Sequence, residues 1–174
     1  YRNYPAYLAR AAQLLGSDHY MFATLQARKH YFEGVLQTKA VEKKQQFFQA
    51  LHWQPEMPHA YAALISSYEV DQIDSAEYYT RKAMEIAPTW VKPYLNLSSV
   101  YLKAKQFDKE EEMLNRATKV DSNSILVWYA KARFYQSHKN FEKAEYWFKK
   151  MINSSGEDIC FPCMHNNLGY VYKD

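Results

Sequence analysis

One spacing constrains this chain more than any other: an aromatic, a leucine, a small residue and a tyrosine recur with a period near 34 residues. In "YLNLSSVYLKAKQF" (residues 94–107) they are Tyr94, Leu97, Ser98 and Tyr101, followed by Phe107, Leu114, Ala117 and Ser122. A step of 34 residues down the chain gives Trp128, Lys131, Ala132 and Tyr135, then Phe141, Phe148, Met151 and Gly156. A step of 33 residues up the chain gives Tyr61, Leu64, Ile65 and Tyr68, then Ala76, Ala83 and Pro88, with one residue missing from the internal turn. Offsets of three, four and seven place each set on one face of a helix. The period holds a pair of helices, and one pair cannot bury its apolar face alone, so the copies are expected to stack.

Composition agrees. The 174 residues include 16 Tyr, 9 Phe and 4 Trp against 4 Gly, which favours helices with short connections over an all-β or glycine-loop fold. Helices are expected over 5–15, 18–36, 38–53, 58–70, 74–86, 91–104, 107–120, 124–137, 141–153 and 163–173, with Pro55, Pro58, Pro88 and Pro93 at helix ends or first turns. No segment reads as a strand. Net charge is +3, from 22 basic and 19 acidic residues that interleave, so no field that would gather nucleic acid is expected. No apolar run reaches the roughly 20 residues of a membrane span, and no signal peptide opens the chain. The chain begins at Tyr1 and ends at Asp174 inside a helical pattern, so it is expected to be a piece of a longer, cytoplasmic protein.

The repeat resembles the tetratricopeptide repeat, whose pattern sets W-x2-L-G-x2-Y on one helix, A-x3-F on the next and then a late proline. Three stretches carry it. Residues 60–88 supply Tyr61, Leu64, Tyr68, Ala76, Ala83 and Pro88; residues 94–122 supply Tyr94, Leu97, Ser98, Tyr101, Phe107 and Ala117; residues 128–151 supply Trp128, Ala132, Tyr135, Phe141, Ala144 and Phe148. "NLGYVY" (167–172) looks like the opening helix of another copy, and residues 27–55 like a degenerate one that matches through Phe47, Ala50 and Pro55 while Tyr31 and Gly34 fit in a shifted register. Departures are Lys131 for a leucine, Glu110 for an alanine, and extra residues in "SSGEDICFPC".

The resemblance implies an all-α fold, a right-handed α-solenoid (superhelix) of antiparallel helix pairs, in a single array over residues 1–174. Its parts would be an N-terminal cap (1–23), a degenerate repeat (24–57), repeats at 58–90, 91–124 and 125–161, and the first helix of a truncated repeat (162–174). Small residues such as Ser98, Ala132 and Gly169 would let paired helices approach, and Tyr68, Tyr101 and Tyr135 would fill the gap to the next pair.

Chemistry-bearing motifs are sparse. "CFPC" (Cys160 to Cys163), with His165 behind it, lacks the βαβ context of a redox motif and is one ligand short of a structural zinc site, leaving two thiols or a local disulfide. The six histidines form no metal-ligand spacing, and glycines at 16, 34, 156 and 169 make no phosphate-cradling loop. The acidic run 108–112 ("DKEEE") reads as a solvated helix start favoured by the macrodipole. No catalysis, cofactor or metal is expected.

Binding is the remaining class. In the family this chain resembles, the first helix of each pair lines a groove that holds extended peptides or partner helices. Carried onto this sequence, the groove face would present His59, Ser66 and Glu69, then Lys92, Leu95, Asn96, Ser99 and Leu102, then Leu126, Tyr129, Arg133 and Gln136, then Asn166 and Tyr170. Only Asn96 matches the subgroup that clamps a chaperone's C-terminal carboxylate, since Ala62, Ser66, Leu126 and Ala130 stand at other clamp positions. The expected partner is therefore an amphipathic or mildly acidic peptide or a protein domain, bound by an interaction scaffold. The alternative is an intramolecular regulatory or self-associating module of a larger bacterial signalling or transcription protein, with homo-oligomers forming through the exposed terminal helix. RNA binding ranks last, because the aromatics are committed to packing.

Overall fold

The computed structural model describes residues 4–15 and 20–154. Among them lie helices α1 (Tyr4–Leu15), α2 (Tyr20–Leu36), α3 (Ala40–Trp53), α4 (Pro58–Ser66), α5 (Ile73–Ile86), α6 (Lys92–Lys103), α7 (Phe107–Val120), α8 (Ile125–Ser137) and α9 (Phe141–Ser154). No strand occurs among the described residues. Packing is most extensive within the consecutive pairs α2/α3, α4/α5, α6/α7 and α8/α9, so the chain is an all-α solenoid of stacked helix pairs.

The recurring tyrosines join each pair to the one before. Tyr101 on α6 donates its hydroxyl to Glu77 Oε1 on α5 at 2.7 Å, and Tyr135 on α8 donates to Glu111 Oε1 on α7 at 3.0 Å, the same 24-residue reach. Lys109 Nζ lies 5.3 Å from the Tyr101 ring centre and Lys143 Nζ 5.0 Å from that of Tyr135. Tyr68, just past the end of α4, makes the corresponding contact with Lys44 on α3, whose Nζ sits 4.9 Å from its ring centre. Burial first, and then the bond to a carboxylate, raises the phenol pKa of Tyr101 and of Tyr135. Three aromatic and aliphatic clusters, around Leu64 and Tyr101, Leu114 and Phe134, and Trp128 and Phe148, form the core along the stack.

The departures from the repeat have physical accounts. Gly34 stands one period before Tyr68, and a Cβ there would meet the buried Phe47 ring at 2.5 Å, so the glycine lets α2 and α3 close. Lys131 is buried with its Nζ 4.9 Å from the Trp147 ring centre, and burial lowers its pKa. The helix expected over 58–70 ends instead at Ser66, followed by a short 3-10 turn at Val70–Gln72. Ser66 and Ser67 hydroxyls bond back to the carbonyls of Ala62 and Ala63, which competes with continuation of the helix.

The equivalent turns of the next two pairs use a left-handed residue, Lys105 and Lys139, each at φ 56°. Gln106 N–H donates to Tyr101 O and Asn140 N–H to Tyr135 O, both at 2.9 Å, closing matching C-terminal caps. The acidic run 108–112 is only partly a solvated helix start. Asp108 and Glu112 are exposed, but Glu110 is buried, because it falls one period from Ala76 and Ala144 on the inner face of its helix.

Candidate functional site

The first helices of successive pairs line three hollows that adjoin one another. One, of about 400 Å3, lies among Arg28, Tyr31, Phe32, Met57 and His59. The second, of about 540 Å3, shares Tyr31 and His59 with it and adds Ser66, Trp90, Lys92, Asn96 and Leu126. A third, of about 430 Å3, shares Lys92 and Leu126 with the second and opens between α6 and α8 among Leu95, Ser99, Leu102, Tyr129 and Arg133. Shared walls make the three a continuous groove.

Two features distinguish the middle of the groove from the third hollow. Asn96 on α6 donates its side-chain amide to Ala62 O on α4 at 2.6 Å, tying those first helices together. One period on, Ala130 has no amide to repeat the tie, and α8 packs chiefly on α9 and α7, leaving a cleft beside α6. Glu110, from α7, lies on the floor of that cleft along with Leu114 and Phe134.

Of the residues expected on the groove face that are described, all but Glu69 and Gln136 line these hollows. Leu102, Leu126 and Tyr129 are exposed, whereas Leu95 is buried in the cleft wall. Arg133 lies against Tyr129, donating from Nη1 to the phenol oxygen at 3.3 Å, so the two form one unit. His59 sits between Trp90, at 4.8 Å between ring centres, and Tyr31, at 6.3 Å. Asn166 and Tyr170 lie outside the described residues, as do Cys160, Cys163, His165 and the terminal helix on which self-association was expected to rest.

Sequence reasoning missed Tyr31, Trp90 and Glu110 as groove residues. Tyr31 belongs to the degenerate copy, whose register is obscured by Gly34, and Trp90 lies in a connection between helices. The signal for Glu110 was its place where the repeat calls for alanine. The residue is 5% exposed and its Oε2 has no hydrogen-bond partner. Desolvation pushes its carboxyl up to about 7, and nearby His138 opposes that only in part. Among the described residues, no group of three or more His, Cys, Asp or Glu could share a metal ion, and no helix is long and apolar enough to cross a membrane.

The period, the stacked pairs and the groove can be set beside known proteins. Residues 91–124 match the family model of the tetratricopeptide repeat. The chain has the tetratricopeptide-repeat fold. A thermophilic tetratricopeptide-repeat protein of Thermus thermophilus superposes with a TM-score of 0.67 at 17% identity, covering 97% of this chain and 90% of that one. Two structures of MamA superpose with TM-scores of 0.60 and 0.59 at 17% and 15% identity, covering 88% and 87% of this chain and 80% and 88% of theirs. No curated protein matches the chain. The tetratricopeptide-repeat fold accounts for the stacking and suggests a protein-interaction scaffold.

Proposed function

We propose that this tetratricopeptide-repeat array is a scaffold whose groove holds an extended peptide segment of a partner protein. The observation that carries the reading is the continuity of the three hollows along α2, α4, α6 and α8. Its surface mixes aromatic and leucine side chains with Lys92 and Arg133, which suits a peptide with apolar anchors and acidic flanks. Asn96 spends its amide within the array, which supports the expectation that a bare C-terminal carboxylate is not the ligand.

Capture from the source cell, followed by calorimetry with the captured partner's peptide, tests this reading. The Tyr129→Ala/Arg133→Ala variant removes a paired surface unit and should weaken binding by about tenfold or more with helicity unchanged. Equal affinity in the variant would overturn the groove assignment.

A further inference from the structure

We propose that the cleft between α6 and α8 is a lysine pocket: a lysine side chain of the bound peptide enters it, and the carboxylate of Glu110 binds the ammonium. The inference rests on the groove reading above and gives it a specificity.

The two buried side-chain oxygens without a partner among the described residues are Glu110 Oε2 and Gln106 Oε1, four residues apart at the first turn and N-cap of α7. Both are acceptors; of the two residues Glu110 lines the cleft, and what its Oε2 lacks is a donor. A buried carboxylate left unpaired is costly, and packing did not require it: the equivalent positions hold Ala76 and Ala144, both fully buried. The array therefore carries a destabilising acid where α6 and α8 part and a cleft gives access from the groove.

The cleft's chemistry selects the occupant. Leu95, Leu114 and Phe134 line it, and their apolar surfaces match the methylene stem of a lysine while its charged head reaches the floor. Glu110 Oε2 lacks a donor, and the ammonium of a lysine supplies one as a point charge at the end of an apolar stem. Glu110 lines the cleft while its Oε2 is buried, so binding requires the carboxyl to turn outward to meet the ammonium. The charged or titratable groups around it are Lys92 on α6, Arg133 on α8 and His138 at the end of α8. None of these bonds to Oε2, and Lys92 and Arg133, on the exposed rim, are placed to meet acidic residues flanking the lysine. The predicted ligand is a lysine between apolar residues with acidic flanks.

The test uses two blocked heptapeptides, acetyl-Glu-Leu-Leu-Lys-Leu-Leu-Glu-amide and the same peptide with norleucine for lysine, titrated calorimetrically into the protein. The wild type should bind the lysine peptide about tenfold or more tightly than the norleucine peptide. Glu110→Gln should bind the two alike. Glu110→Ala, which installs the residue of the equivalent positions, should do the same and guards against a folding failure of the first variant. Equal affinities in the wild type, a preference that survives in both variants, or binding of neither peptide would overturn the lysine pocket. The Tyr129→Ala/Arg133→Ala variant separates the two readings. If it loses both peptides while the wild type does not distinguish them, the groove stands and the pocket fails; if it loses neither, the groove assignment itself fails.

Discussion

At the scale of single residues, burial decides the chemistry of Glu110. Its carboxyl titrates at about 7 in the folded chain, above an ordinary value of 4.5, so between those pH values the native state holds a proton that the unfolded chain has released. Stability from this group therefore falls as pH rises through that window, the reverse of a salt-bridged carboxylate. Glu110→Ala should raise stability above pH 7 by up to about 3 kcal/mol and leave it nearly unchanged near pH 4. Urea titrations of both proteins at pH 5 and pH 8 check this, and an equal difference at the two values would contradict the assigned pKa. Gly34 is the second residue with a sharp expectation. Alanine there meets a Phe47 ring that is itself buried, so Gly34→Ala should destabilise by about 1–3 kcal/mol in the same assay. Sequence reading marked both positions as irregular, but it lacked the partners that explain them. The Phe47 ring reaches Gly34 from the next helix, and the cleft above Glu110 depends on how far α8 stands from α6.

Elements were more legible than sites, because helix formation answers to local periodicity. The proline positions, the spacing of apolar faces and the tyrosine period delimit α3, α5, α6, α7, α8 and α9 within a residue or two. The exception is the end of α4, where the one-residue deletion in the turn is absorbed by serine back-bonds and a 3-10 turn that periodicity does not encode. The turns after α6 and α8 carry Lys105 and Lys139 at positive φ, where a side chain is strained and glycine is not. Lys105→Gly should therefore stabilise by about 0.5–1 kcal/mol, measured as an increase in the urea midpoint. A decrease would show that the Lys105 side chain contributes more than its backbone conformation costs.

At the scale of the whole molecule, stability and recognition come from the same translation of one unit. The tyrosine contacts repeat with the helix pairs, so each pair is held chiefly by its neighbours, and the first helices are left to form a surface. The groove was legible in outline because the repeat fixes which helix faces it. Its local character was not, since the tie from Asn96 to Ala62, and the loss of that tie at Ala130, depend on pairs of residues a full period apart. The claim that this groove is the interaction surface meets its most direct test in calorimetry of the wild type and the Tyr129→Ala/Arg133→Ala variant with the peptide of a captured partner. The account predicts a loss of about tenfold or more in affinity with unchanged helical circular dichroism. Undiminished affinity would place the interaction surface elsewhere on the array.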